Sequence, residues 1–109
     1  MKQEKYIMKI VAVTSCPSGV AHTYLAAEAL KMAGRKLNVE VFVETQGAAG
    51  IENQLNKKDI EEAVCVILTS DTTIRNEERF KGKKILRMEA NKIISDSLKL
   101  MKKIKITFE

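Results

Sequence analysis

The residue types that can do chemistry in this 109-residue chain gather in residues 15–23, which read SCPSGVAHT. Gly19 allows the backbone to turn tightly, and Pro17 has its φ angle preset for a turn or for the first turn of a helix. Consecutive backbone N–H groups in such a turn form a concavity with positive potential, and phosphate is its usual ligand. The run therefore predicts an anion-binding loop between a strand and a helix.

Cys16 lies at the entrance of this loop. The N–H donors and the positive end of the helix dipole would stabilise its thiolate, which makes the thiol a nucleophile near neutral pH. The ring of His22, six residues later, can donate a hydrogen bond to a bound anion. We therefore predict a catalytic Cys16 followed by a phosphoryl-binding loop of Pro17, Ser18, Gly19, Val20, Ala21, His22 and Thr23.

A cysteine at the end of a strand is otherwise commonly a small buried core residue. That interpretation suits Cys65, which lies inside the apolar run VCVIL. At about 3.3 Å per strand residue, Cys65 would also lie too far from Cys16 for a disulfide. Two free cysteines, and a charged beginning unlike a signal peptide, favour a reducing cytosol.

Composition excludes several classes of protein. The chain is 45% hydrophobic with 5 Gly and 1 Pro, which is typical of a folded domain. Its longest apolar run, residues 63–68, is far shorter than the roughly 20 residues of a membrane span. With a single histidine, multi-histidine metal sites are excluded, and we expect neither a metal nor another cofactor. The net charge of +5 permits a nucleic-acid ligand, but the lysines are scattered, so no nucleic-acid partner is predicted.

The loop also lacks the motifs of other phosphate-binding and thiol-dependent proteins. No G-x-x-x-x-G-K-[ST] is present, and no G-x-G-x-x-G follows the first apolar run. A tyrosine-phosphatase loop needs an arginine six residues after its cysteine, where this chain has His22. A C-x-x-C redox motif is absent as well.

The elements that must position the loop alternate between short apolar runs and helical segments. The apolar runs predict four strands, at residues 7–14, 39–44, 64–68 and 85–88. Helical spacing predicts helices at about 19–34, 56–63 and 90–101, with one turn near NEERF. Strands separated by such crossovers pair in parallel. We predict an α/β fold, a three-layer α/β/α domain whose four-stranded parallel sheet has the order 2-1-3-4 with helices on both faces.

This domain is expected to span residues 1–109, with a core at about 8–102. Residues 103–109 are left unassigned, as an edge strand or a loose end. Gly34 is predicted to stop the first helix. The strand order puts the ligand crevice between strands one and three, beneath residues 15–23 and 69–75.

Loop residues on the same rim are candidates for partner docking. Gln46 and Gly47 follow strand two, and Gln46 has an amide to offer; the other interpretation is a simple turn. Asp71 follows strand three, where it either caps a turn or shapes the field near the thiol. Arg75 and Arg79 are interpreted as solvated surface charges.

Several segments together resemble a known family. CPSGVAHTYLAAEAL, VEVFVETQGAAGIENQL, DIEEAVCVILTSD and RFKGK occur in order between about residue 9 and residue 98. They resemble the fructose-type enzyme IIB component of the bacterial phosphoenolpyruvate-dependent sugar phosphotransferase system (PTS). The resemblance implies that Cys16 accepts a phosphoryl group from a phosphohistidine of the IIA component. It also implies transfer to fructose or a related sugar entering through the membrane component IIC, by a cytoplasmic protein at the inner face of the membrane.

Two other functions stay open at this point. A small cysteine-dependent phosphatase would use the same nucleophile, although the missing arginine argues against it. A regulatory domain in which a phosphorylated cysteine only signals would be favoured by an attached DNA-binding segment, and none is recognised here.

Overall fold

The structure, a computed structural model, describes residues 8–17, 20–48 and 50–109. Strands and helices alternate along this part of the chain, as the apolar runs predict. The elements are β1 (Met8–Thr14), α1 (Val20–Leu37), β2 (Val39–Gly47), β3 (Gly50–Glu52), α2 (Lys57–Glu62), β4 (Cys65–Thr69), a 3-10 turn (Glu77–Phe80), β5 (Ile85–Met88) and α3 (Ala90–Phe108).

The strands form one sheet in the order β3-β2-β1-β4-β5. β2 and β4 both pair in parallel with β1, and β5 pairs in parallel with β4. The predicted order of the four parallel strands, with the first strand in the middle, is confirmed. The predicted number of strands was wrong, because β3 folds back antiparallel onto the end of β2. A three-residue strand is too short to show the alternation that identifies strands in a sequence.

Helices cover both faces of the sheet. Met8, Ile10 and Ala12 of β1 face the layer of α1 and α3, and Val11 and Val13 face the layer of α2 and the 3-10 turn. Both sets are buried because the central strand has a core on each side. The predicted three-layer α/β/α arrangement is therefore confirmed.

Helix α1 is longer than predicted because Gly34 does not end it. A Cβ atom at Gly34 would lie 2.5 Å from Val41 Cγ2 and 2.7 Å from the Val39 carbonyl oxygen. Glycine is therefore the residue that lets the helix backbone approach β2 closely. The helix ends at Leu37, and Asn38 follows it in the left-handed region with a φ of 61°.

Helix α3 continues through residues 104–108, so the prediction of an edge strand or loose end there was wrong. Its buried face includes Leu100 and Ile104, and Phe108 packs against the same core one turn later. This i, i+4, i+8 spacing is helical, although the sequence IKITF also alternates weakly like a strand. Within the described residues, no helix is long and apolar enough to cross a membrane.

Candidate functional site

An open cleft of about 440 Å³ lies at the carboxyl ends of β1, β2 and β4. Its walls come from residues 15–17 and the first turns of α1, from the β2–β3 turn, and from residues 72–75 after β4. This position at the switch point of the parallel sheet agrees with the crevice predicted from the strand order. We call it the cleft, and residues 15–23 the cysteine loop.

Two threonines at strand ends hold the first and the last residue of the cysteine loop. The Thr69 hydroxyl accepts a hydrogen bond from the Ser15 N–H and donates one to the Ser15 carbonyl oxygen, both at 2.9 Å. The Thr14 hydroxyl donates to the Thr23 carbonyl oxygen at 3.1 Å. Both threonines are fully buried. Ser15, the residue before Cys16, is therefore bonded to the end of β4, and the first turn of α1 is bonded to the end of β1.

Cys16 lines the cleft and is partly buried. Its Sγ atom lies 3.8 Å from Nδ1 of His22. Helix α1 begins at Val20, so its positive end lies at the cysteine loop. Of the predicted loop residues, Pro17, Val20 and Thr23 also line the cleft, and Ala21 and His22 do not. Ser18 and Gly19 lie outside the described residues.

Cys65 has the opposite environment. It is fully buried in β4, on the sheet face that packs against α1 and α3. Burial raises the pKa of its thiol to about 11. The prediction that Cys65 is a core residue, separate from Cys16, is confirmed.

A buried ion pair lies beneath the cleft. Glu44 has no exposed surface, and both of its carboxylate oxygens accept hydrogen bonds from the Arg79 guanidinium at 2.7 Å. Gln46 Nε2 and the Leu55 N–H donate two more, at 2.8 and 2.9 Å. Burial raises the pKa of Glu44, but these four donors outweigh it and hold the pKa below its ordinary value. The prediction that Arg79 is a solvated surface charge was wrong.

Gln46 joins this pair to the wall of the cleft. Its Oε1 accepts from the Arg75 N–H at 2.8 Å, and its Nε2 donates to the Arg75 carbonyl oxygen at 3.1 Å. The side-chain amide thus pairs with the backbone of Arg75 as a neighbouring strand would. Both Nε2 hydrogens are used inside the protein, and Gln46 is only 2% exposed. The expectation that Gln46 offers its amide to a partner is therefore corrected.

Asp71 also has an internal role. Its Oδ1 accepts a hydrogen bond from the Ala90 N–H at 2.7 Å, at the start of α3. Glu89, the residue before that helix, makes no side-chain cap. Asp71 therefore caps a distant helix, which is neither of the two roles considered for it, and it does not line the cleft.

Two residues of the opposite wall of the cleft, Tyr24 and Thr45, contact the carboxylate of Glu52, which does not line the cleft. The Tyr24 hydroxyl of α1 donates to Glu52 Oε1 of β3, and the Thr45 hydroxyl reaches the same oxygen at 3.5 Å. This bond raises the pKa of Tyr24, with burial as a lesser cause. It connects α1 with β3 beside Gly50, which has a φ of +107° and forms the tight turn out of β2.

Comparison with known proteins assigns the family. A profile described as PTS system, Lactose/Cellobiose specific IIB subunit matches residues 11–103. This chain belongs to the PTS IIB family. The match confirms the resemblance found in the sequence. It also places the cleft in a family of sugar phosphotransferase components.

Relatives of this IIB chain have fructose-related names. The PTS system fructose-like EIIB component 2 of Escherichia coli K12 is 52% identical over 96 residues, which are 88% of this chain and 91% of that protein. A domain of the fructose-specific IIABC component of Borrelia burgdorferi has a TM-score of 0.82 at 44% identity, covering 88% and 91% of the two chains. The solution structure of a PTS enzyme IIB subunit of E. coli K12 has a TM-score of 0.86 at 36% identity, covering 92% and 93%.

Some residues of this IIB chain that line or support the cleft could not be predicted from the sequence. Thr69 and Tyr24 form hydrogen bonds with partners that are 54 and 28 residues away in the chain, so no local sequence pattern identifies them. Thr72 and Thr73 line the cleft from a polar segment that reads as an ordinary loop. Among the described residues, no group of three His, Cys, Asp or Glu side chains that could hold a metal ion is found.

Proposed function

We propose that this IIB protein carries a phosphoryl group on Cys16 from the phosphohistidine of a IIA component to a sugar. The observation that carries the proposal is the position of the thiol. Cys16 lies in the cleft at the carboxyl ends of the strands, with His22 at 3.8 Å, while the other cysteine is sealed in the core. Membership of the PTS IIB family supports a phosphotransferase role.

In the first step, the Cys16 thiolate attacks the phosphorus of the phosphohistidine in line. The S–P bond forms as the P–N bond breaks, and the donor imidazole leaves with the electron pair of the P–N bond. In the second step, a sugar hydroxyl oxygen attacks the same phosphorus. The S–P bond breaks, the thiolate is regenerated, and the hydroxyl proton is released. Such transfer depends mainly on positioning and on electrostatic stabilisation of the phosphoryl oxygens.

The residues proposed to hold the phosphoryl oxygens are those that follow Cys16. Backbone N–H groups of residues 18–23 and the positive end of α1 are proposed to face the anion, since α1 begins within this segment. His22 would donate a hydrogen bond from its ring. Gly47 and the β2–β3 turn border the cleft and are proposed as part of the docking rim for partners.

The proposed sugar is fructose or a closely related sugar. This rests on the names of the relatives, which include a fructose-specific EIIB component of Haloferax volcanii, 50% identical over 80 residues. The family profile names lactose and cellobiose, so membership of the family alone does not select the sugar. The partners we propose are a IIA component as donor and a membrane IIC component, with this chain acting as one domain at the inner face of the membrane.

The test is transfer of labelled phosphoryl from phosphoenolpyruvate through purified general PTS proteins and a IIA component. We expect the label on wild-type protein and on Cys65→Ser, and none on Cys16→Ser. The Cys65→Ser variant is the matched control, because it removes a thiol while leaving the cleft unchanged. Label on Cys16→Ser at the wild-type level would refute the role of Cys16.

A second arm of the same test separates a carrier from a phosphatase. The labelled protein should return its phosphoryl group to unphosphorylated IIA and persist for many minutes without it. Because His22 stands where a phosphatase loop has arginine, turnover of aryl phosphates should be negligible. Steady aryl-phosphate hydrolysis that depends on Cys16, without exchange to IIA, would overturn the proposal in favour of a phosphatase.

A further inference from the structure

We propose that Arg75 is the cation of the cleft, which attracts anionic groups to Cys16 and stabilises the phosphoryl group there. The second half of this statement rests on the proposed function. The first half, an electrostatic action of Arg75 on the Cys16 thiol, stands on the structure alone.

The charge of the cleft comes from one residue. Of the described residues that line it, Arg75 is the only one with a side chain of full charge at neutral pH. Most of the remaining polar side chains there are hydroxyls, from residues such as Thr45, Thr72 and Thr73. Hydroxyls and a guanidinium are donors to anions, and none of the described residues that line the cleft has a carboxylate. Glu52, which contacts Tyr24 and Thr45, is not itself a lining residue.

Arg75 also differs from the arginines that follow it in the chain. Arg79 is paired with the buried Glu44, and Arg87 is paired with Glu77. The side chain of Arg75 makes no ion pair or hydrogen bond with any residue in the described part of the chain, and the residue is exposed. Its charge is therefore unused by the fold and available to a ligand.

The backbone of Arg75 is nevertheless fixed. Gln46 bonds both its N–H and its carbonyl oxygen, and Glu44 orients the Gln46 amide from below. A buried hydrogen-bond network therefore fixes the backbone of Arg75, an exposed residue, at the edge of the cleft. This arrangement is expected for a side chain whose position matters and whose end must remain free.

Arg75 supplies a full positive charge, which the cysteine loop lacks. A phosphoryl group on sulfur carries about two negative charges at neutral pH, and the cysteine loop contains no lysine or arginine. A guanidinium matches two oxygens of such a group with parallel N–H donors. Cys16 and Arg75 line the same cleft from separate segments, so the cation that we propose comes from outside the cysteine loop.

The experiment compares the rates at which iodoacetate and iodoacetamide alkylate Cys16. Mass spectrometry of the peptide that contains Cys16 measures each rate. Both reagents meet the same thiolate, so a change in thiol reactivity cancels in the ratio of the two rates. The ratio reports only the preference for the negative reagent. Cys65 contributes little near pH 8, because it is buried and its pKa is about 11.

We expect Arg75→Gln to lower the iodoacetate-to-iodoacetamide ratio about three- to tenfold at low salt, since one charge acts over several ångströms of partly aqueous cleft. Arg75→Lys should retain most of the ratio, and added salt should reduce it in the wild type. The matched control is Arg87→Gln, which removes the same charge from an exposed pair outside the cleft and should leave the ratio unchanged.

An unchanged ratio in folded Arg75→Gln, or an equal fall in Arg87→Gln, would overturn the proposal. Phosphoryl transfer from IIA is measured separately on the same variants, and a slower transfer to Arg75→Gln supports the second half of the proposal. Failure of the wild type to accept label would refute the proposed function and the phosphoryl role together. The alkylation ratio would still decide the electrostatic role of Arg75.

Discussion

The buried pair of Glu44 and Arg79 makes a strong prediction about stability. Replacing Arg79 by Met keeps much of the contact with the Phe80 ring, over which the guanidinium lies at 4.7 Å from the ring centre. It leaves Glu44 fully buried with two of its four donors, Gln46 and the Leu55 N–H. Breaking a buried ion pair by removing one partner typically costs about 3–5 kcal/mol.

Two structural details select the lower part of that range. The two remaining donors still satisfy one hydrogen bond on each carboxylate oxygen of Glu44. The side chain of Arg79 is 17% exposed, so water can reach the space that it leaves. We therefore expect Arg79→Met to lower the free energy of unfolding at pH 7 by about 3 kcal/mol. Urea unfolding followed by circular dichroism measures this difference.

The charge of Glu44 also predicts how the difference in unfolding free energy between the two proteins changes with pH. In the wild type the folded pKa of Glu44 is lowered, so its stabilising contribution is present above the ordinary value, about 4.3, and is lost as the pH falls through the folded pKa. Without Arg79, burial is opposed by only two donors, so we expect the pKa of Glu44 to be higher in the variant than in the wild type. Lowering the pH from 7 to 5 should therefore protonate more of the buried carboxylate in the variant than in the wild type. The difference in unfolding free energy between the two proteins should shrink over this range.

The control is Arg87→Met, which removes the exposed partner of Glu77 and should cost less than about 1 kcal/mol at either pH. A loss below 1 kcal/mol for Arg79→Met would show that the pair is not the stabilising contact described here. A loss of 3 kcal/mol that is equal at pH 7 and pH 5 would contradict the assignment of its cause to the charge of Glu44.

Two further predictions concern packing and capping. Gly34→Ala should destabilise the protein by about 1–3 kcal/mol, because the new Cβ would overlap Val41 and the Val39 carbonyl. Unfolding in urea measures this loss of stability. A neutral or stabilising result would show that α1 and β2 can separate freely. Asp71→Ala should lower stability by about 1 kcal/mol through loss of the α3 cap, as measured by thermal unfolding. Asp71→Asn keeps the acceptor and should recover most of this stability. Equal losses in the two variants would argue against capping.

The sequence allowed the order of the parallel strands and the position of Cys16 to be predicted, because both depend on local patterns. The apolar runs identify each strand, and the long crossovers between them leave little choice of pairing. The loop chemistry is similarly local, since Pro17, Gly19 and the start of α1 follow Cys16 directly. Membership of the family was evident from the same segments.

The polar network could not be predicted, because its contacts join residues far apart in the chain. Glu40 and Glu44 occupy equivalent positions in the alternating run VEVFVE, yet only Glu44 is fully buried. Its partner Arg79 is 35 residues away. Arg75 and Arg79 look alike in the sequence as charges of a polar segment. Only the structure shows that Arg79 is paired with a buried carboxylate, whereas Arg75 lines the cleft.

The reciprocal bonds between Ser15 and Thr69 bear on the speed of the phosphoryl carrier that we propose. Ordering the backbone of a residue costs about 1–2 kcal/mol of conformational entropy. The hydroxyl of Thr69 fixes the Ser15 backbone when the sheet forms, and Cys16 follows directly. That entropy is lost once, during folding, and does not recur at each encounter. At this point of the chain, a carrier preorganised in this way needs no refolding between loading and delivery.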